Sequence, residues 1–340
     1  MRAANWVGDA VMSLPALAGL RRRFPAAHIA ILARPWVAGL YRAEPFANEI
    51  IAYHPKPGIA GIACRWTTAR QLRRMRFDCA LLLQNAFDAA LLSFLAGIPR
   101  RIGYDRDGRG LLLTDPIPPP KPGEIPPHES FYYLELLRRA GWGEALPPEP
   151  LVRLEGALRA RDAGRARFDA EGWRGPVIGL SPGAAFGTAK RWLPERFAES
   201  AIELAAGMGA SVALFGSNQE RALCEAVAGL IRQAGTPVRN YAGETTLEEF
   251  IERAAACALM LTNDSGAMHI ASALGVPTVA VFGATNHVTT GPTGPSARVV
   301  RVPAECAPCQ LRHCPIDHRC MTGVTSPMVV AAARELLQLK

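Results

Sequence analysis

The chain has 340 residues, longer than a single compact core usually grows and long enough for two domains of ordinary size. Half of it is apolar, a fifth is charged, and its 31 Gly and 28 Pro follow no period, which excludes disorder, collagen and coiled coil. The net charge of +8 belongs to the first 110 residues, where 16 Lys and Arg face 7 Asp and Glu. A partner bearing phosphates or carboxylates would be attracted there, and solvated helix faces are the plain alternative.

Taken in chain order, short apolar runs alternate with stretches of helical spacing. The first loop, Asn5-Trp6-Val7-Gly8-Asp9, has only four residues ahead of it, so the first strand is either very short or partly missing from the chain. A helix is predicted over 13–23, and strands over 28–32, 49–52 and 79–83. Between Pro116 and Pro150, Pro-rich stretches flank one helix-like run, 131–140, and the break between domains is expected there or shortly after. Beyond it the pattern predicts strands over 177–181, 211–215, 258–262 and 277–282, with helices over 194–206, 220–234 and 247–256. Repeated βα units of this kind imply an α/β fold with parallel sheets covered on both faces. The expected division is 1–150, 151–325 and a C-terminal helix over 326–340 that packs back on the first domain. No apolar run approaches the roughly 20 residues of a membrane-spanning helix. The N-terminus lacks the pattern of a signal peptide, so the cytoplasm is the expected address and the eight cysteines are expected to be reduced.

In parallel sheets of this type the ligand lies at the C-terminal ends of the strands, so the loops there carry the chemistry. Asp9 falls in the first turn of a helix behind Gly8, where it serves either as a cap or as a general base. After strand 177–181, Lys190 lies on a loop with two glycines and precedes the helix that Pro194 begins; a cation beside backbone amides suits a diphosphate, and a surface lysine is the alternative. Glu220 follows a Gly-Ser-Asn-Gln turn and either accepts from ribose hydroxyls or is a favourable first-turn carboxylate. The richest segment runs from Asp264 and Ser265 through Gly266 to His269, a strand end followed by a helix whose free amides face the crevice. His269 alone also fits a core histidine. Together with the loop Gly283-Ala284-Thr285-Asn286-His287, these residues favour a donor-phosphate site.

The segments NWVGDAVMSLPAL, LSPGAAFGTAKRWLPERF, FGSNQE, NDSGAMHIASALGVPTVAVFGATN and the Cys-Ala-Pro-Cys…Cys-Pro…Cys-Met run resemble glycosyltransferase family 9, the ADP-heptose:lipopolysaccharide heptosyltransferases, over nearly the whole chain. That resemblance implies a GT-B architecture: two Rossmann-like domains with parallel sheets facing across a cleft, the acceptor bound mainly by the first and the ADP-sugar mainly by the second. It implies inversion at the anomeric carbon with no cofactor and no catalytic metal. By the same resemblance the general base is Asp9, the phosphate-contacting lysine Lys190 and the ribose-contacting acid Glu220, with Asp264, Ser265, Gly266 and His269 as the donor loop. Thr285 joins the donor-binding set. The implied partners are ADP-heptose and the lipopolysaccharide inner core, with peripheral association at the inner leaflet. The basic first half suits an acceptor carrying carboxylates and phosphates.

Other readings are another transferase of the same fold and a non-catalytic nucleic-acid binder. Against the second, the arginine-rich stretches lack interleaved aromatics and match no nucleic-acid module. Cys306, Cys309, Cys314 and Cys320, with His313 and His318 between them, offer four zinc ligands on paper, but only the first pair has the close spacing of a zinc ribbon. A redox-sensitive pair and plain packing cysteines are the alternatives.

Overall fold

The computed structural model describes residues 1–42, 44–55 and 58–338. They form two units, Met1–Pro150 and Leu151–Lys340, divided at the end of the Pro-rich stretch.

In the first unit the elements run α1 (Val7–Met12), α2 (Leu14–Arg23), β1 (Ala30–Ala33), α3 (Pro35–Arg42), β2 (Glu49–Ala52), α4 (Gly58–Arg74), β3 (Cys79–Leu82), α5 (Phe87–Leu95), β4 (Arg100–Tyr104), β5 (Asp115–Ile117) and α6 (Glu129–Arg139). All strand pairs are parallel: β1 with β2, β3 with β4, and β4 with β5. Residues 1–3 lie between these two sets. Arg2 N donates to Leu81 O at 2.9 Å and Leu83 N to Arg2 O at 3.1 Å, while Leu32 N donates to Met1 O at 2.8 Å and Ala3 N to Leu32 O at 3.0 Å. The first strand is therefore a single bridging residue that joins β1 to β3. β4 and β5 were not among the predicted strands, because Arg100 and Arg101 and the short Asp-Pro-Ile run mask their apolar period.

The second unit runs α7 (Ala157–Ala170), β6 (Val177–Ser181), α8 (Pro194–Met208), β7 (Ser211–Leu214), α9 (Arg221–Gln233), β8 (Val238–Asn240), α10 (Leu247–Ala256), β9 (Leu259–Asn263), α11 (Gly266–Ala273), β10 (Thr278–Val281), α12 (His287–Thr290), β11 (Ala297–Val300), α13 (Arg319–Thr322) and α14 (Ser326–Leu337). Local chemistry sets several of these boundaries. Pro194 opens α8 and Gly209, in the left-handed region, closes it. Thr246 and Glu249 form a reciprocal capping box that starts α10.

Its six strands are all parallel in the order β11-β10-β9-β6-β7-β8. From β6 the chain proceeds outward through β7 and β8, then returns to the other side of β6 with β9. The order reverses between β6 and β9, and the loops beyond their C-terminal ends diverge to opposite faces, leaving a crevice. Every residue of β6, β9 and β10 is buried, as strands covered on both faces require. The C-terminal helix buries Val329, Val330 and Ala333 in the core of the second unit with Phe197 and Leu204. Residues 339–340 of the expected helix lie outside the described residues.

Candidate functional site

The loops that follow β6 and β9 meet at the point of strand reversal. Lys190, at the end of a short 3-10 turn over Thr188–Lys190, donates through Nζ to Asp264 Oδ2 at 2.6 Å. Both side chains are largely buried, at 14% and 5% exposure. The Thr285 hydroxyl, from the loop after β10, donates to the same Asp264 oxygen. Three residues named from different motifs are thus one hydrogen-bonded cluster. Lys190 also lies 4.8 Å from the centroid of the Phe186 ring, whose face attracts a cation.

Asn263, which the sequence did not single out, clamps the same two loops. Its Nδ2 donates to Pro182 O at 2.7 Å, and its Oδ1 accepts from Trp192 N at 2.9 Å. Its only sequence signal is its position at a strand end beside Asp264.

Beyond Asp264 the backbone of Ser265 is extended, at φ −151° and ψ 172°, and α11 begins at Gly266. The Ser265 side chain caps none of the first amides; its Oγ lies 3.2 Å from Thr262 Oγ1. The helix start therefore offers backbone donors and the positive end of a dipole. His269 is one turn in and 7% exposed.

Glu220 is placed differently from Asp264. Its Oε2 accepts from Ser217 N at 2.9 Å and from Ser217 Oγ at 2.8 Å, which makes it the far half of a capping box. The helix-start reading of Glu220 thus has direct support. Its carboxylate also rests on the β6 loop, where a Cβ added at Gly183 would lie 2.0 Å from Glu220 Oε1.

The cysteine-rich segment braces the lysine loop from outside. Ala189 N donates to Arg312 O at 3.0 Å, the His318 ring reaches Ala189 O at 2.9 Å, and His313 Nδ1 lies 3.0 Å from Thr188 Oγ1. Both interleaved histidines thus have partners in the loop. Cys306 is exposed, Cys309 and Cys314 are half-buried, and Cys320 is buried in the core. All four are free thiols, and among the described residues no group of three or more His, Cys, Asp or Glu is placed to hold a metal ion.

Asp9 belongs to the first unit, in the first turn of α1. The residue at the cap position is Trp6, which has no side-chain cap bond. The loop ahead of Asp9 is tied down by arginines. Arg2 Nη2 donates to Asn5 Oδ1 at 2.8 Å, Arg34 Nε donates to the same oxygen at 3.1 Å, and Trp36 Nε1 donates to Asn5 O at 2.9 Å. Burial, with Arg34 as a neighbouring positive charge, pulls the Arg2 guanidinium down to about 10. From α6, loss of solvent and the facing Asp9 carboxylate raise the Glu129 carboxyl above its ordinary value. Asn5 opens the Asn-Trp-Val-Gly-Asp loop, whereas Arg2 and Arg34 carry no motif that marks them in sequence.

Residues 65–319 match glycosyltransferase family 9 (heptosyltransferase). The chain is 36% identical over 303 residues to lipopolysaccharide heptosyltransferase 2 of Escherichia coli K12, covering 88% of this chain and 86% of that protein. Its fold superposes on the solved E. coli ADP-heptose lps heptosyltransferase II with a TM-score of 0.82 at 30% identity, covering 99% and 97% of the two chains. E. coli heptosyltransferase WaaC with ADP-2-deoxy-2-fluoro heptose shares the fold at a TM-score of 0.72 and 17% identity, covering 98% and 99%. The α/β fold with parallel sheets is of the GT-B type found in these structures. With this match over three-quarters of its length and the loops of its second sheet converging on Lys190 and Asp264, the chain belongs to glycosyltransferase family 9, the heptosyltransferases.

Proposed function

We propose that this enzyme transfers heptose from ADP-L-glycero-D-manno-heptose to a heptose of the lipopolysaccharide inner core, with inversion at the anomeric carbon. The observation that carries the donor half is the buried Lys190–Asp264–Thr285 cluster beside the uncapped start of α11. A cation and free amides at a strand-order reversal suit a diphosphate. The names of the E. coli relatives give ADP-heptose and lipopolysaccharide, and heptosyltransferase I or III chemistry is the nearest rival.

In this reading an acceptor hydroxyl oxygen attacks the anomeric carbon, the bond from that carbon to the β-phosphate oxygen breaks, and ADP leaves. Asp9 takes the hydroxyl proton. Lys190 and the amides beyond Ser265 meet the charge that grows on the leaving phosphate. An ammonium has three donors, so the bond to Asp264 leaves two for phosphate. A carboxylate beside a diphosphate is repelled, so Asp264 and Thr285 act by aiming Lys190, and Glu220 meets the ribose from its capping box. His269 supports the donor loop from within α11.

Peripheral association with the inner leaflet is part of the proposal. On α4, Ile62 and Trp66 are 65% and 50% exposed, and Arg70, Arg73 and Arg74 follow on the same helix. Apolar and indole groups beside arginines suit an anionic lipid surface. No helix among the described residues is long and apolar enough to cross a membrane.

The test is incubation with ADP-heptose and truncated core lipopolysaccharides, with products weighed by mass spectrometry. A mass increase of one heptose with release of ADP is expected. Transfer from another nucleotide sugar in preference would overturn the donor assignment.

A further inference from the structure

Trp36 lies in the first turn of α3 and is 56% exposed, although an indole of this size is ordinarily packed. It is nevertheless held, because its Nε1 donates to Asn5 O. With its one polar atom satisfied, the ring offers only carbon surface. The Arg34 guanidinium lies 5.5 Å from the centroid of that ring and 5.5 Å from the centroid of the Tyr53 ring. Its Nε is bonded to Asn5 Oδ1, and among the described residues it forms no ion pair. The nearby Asp88 is already engaged by Arg65 and by Tyr53 Oη at 3.1 Å. Arg2, buried and likewise bonded to Asn5 Oδ1, adds a second positive charge to the same amide oxygen.

Asn5, which anchors all three side chains, begins the loop that leads into α1 and Asp9, and the exposed ring of Trp6 follows it directly. A fixed apolar plate suits the C–H face of a sugar, and a guanidinium with no ion-pair partner among the described residues suits a phosphate or carboxylate. We propose that Trp36 and Arg34 form a subsite for an anionic sugar unit of the acceptor, at or next to the unit whose hydroxyl is glycosylated. This rests on the transferase reading above and names what its acceptor must carry.

The experiment uses the full chain, ADP-heptose and three synthetic heptosyl acceptors: one neutral, one phosphorylated on the accepting sugar, and one linked to a sugar with a carboxylate. The native enzyme is expected to show a KM about tenfold lower for an anionic acceptor than for the neutral one, the ratio expected of one charge-assisted contact. Whichever anionic acceptor gains identifies the group. Arg34→Gln should erase that preference, and Arg34→Lys should restore part of it. Trp36→Ala should raise KM for all three acceptors by about tenfold, with kcat falling much less, the signature of lost binding rather than lost chemistry. Trp36→Phe should recover most of the loss.

Affinity for ADP and the melting temperature should stay near native in each variant. An unchanged acceptor KM in both Arg34→Gln and Trp36→Ala would overturn the subsite, and so would a charge preference that survives Arg34→Gln. Loss of ADP affinity and of melting temperature in step with KM would show that these side chains only brace the Asn5 loop, which also overturns it. Absence of turnover by the native chain would sink the transferase reading separately. Calorimetric titration of the acceptors would then decide the subsite, charge-selective binding lost in Arg34→Gln supporting it and indifferent binding overturning it.

Discussion

Lys190 and Asp264 are joined by a 2.6 Å bond between loops that leave the two strands, β6 and β9, at which the order of the second sheet reverses. The pair ties together the walls of the crevice. Removing either partner leaves the other buried without its counter-charge, so each should matter to both the stability of the loops and the donor.

Lys190→Ala is expected to raise the ADP dissociation constant by about 10- to 100-fold, since a hydrogen bond to a charged group contributes about 1.5–3 kcal/mol. Transfer should slow at least as much. Thr285→Val removes only the hydroxyl that aims Asp264, so its loss of ADP affinity should be smaller. Equal losses in calorimetric titrations of the two variants would put Thr285 on the donor itself.

For Asp9→Asn, turnover should fall by about 10² or more, because a positioned base typically contributes about 10²–10⁴-fold. The melting temperature should hardly move, since asparagine fills the same first-turn position and Trp6 occupies the cap. A clear loss of stability with turnover kept would identify a purely structural carboxylate.

At the start of α11, Gly266→Val should abolish measurable ADP binding by placing a branched side chain where the phosphates approach bare amides. His269→Ala lies one turn deeper and removes a buried ring. A lowered melting temperature with ADP affinity within about threefold of native, equivalent to about 0.6 kcal/mol, would mark it as packing rather than a phosphate contact. Thermal melts and titrations on the same samples separate the two.

Gly183→Ala should push Glu220 out of its capping box, because the new methyl carbon would lie 2.0 Å from Glu220 Oε1. Loss of a cap costs about 0.5–2 kcal/mol, which denaturant melts resolve. A native melt would mean that the β6 loop yields more easily than its packing indicates.

The pH dependence of stability is predicted at Glu171, beside the C-terminus of α7. Burial alone would raise its carboxyl, but the Tyr241 hydroxyl, Arg253 at 2.5 Å and Arg239 at 3.1 Å hold it below the ordinary value. A lowered folded pKa means that the stabilisation is complete above the unfolded value of about 4.3 and is lost as pH falls through the folded one. Glu171→Gln should therefore cost about 1–3 kcal/mol at pH 7 and progressively less below about pH 4. A pH-independent cost in urea melts would count against the ionic network.

The α/β class was legible from the sequence because buried parallel strands are written as apolar runs between amphipathic helices. Strands 49–52 and 177–181 and helix 247–256 agree with the structure to the residue, each bounded by local turn or cap chemistry. The loops rich in glycine and polar residues after β6 and β9 were legible for the same reason, since strand ends and helix starts leave local marks. Strand order is a different matter. Parallel neighbours are joined by crossovers, so nothing local to β6 records that β9 and β7 flank it; only the assembled sheet makes the loops of Lys190 and Asp264 neighbours. The same holds for Asn5, whose carbonyl and amide oxygens collect Arg2, Arg34 and Trp36 from up to 31 residues away. Hydrogen bonds between side chains distant in sequence have no period and no motif, and they exist only once the tertiary fold has brought their donors and acceptors together.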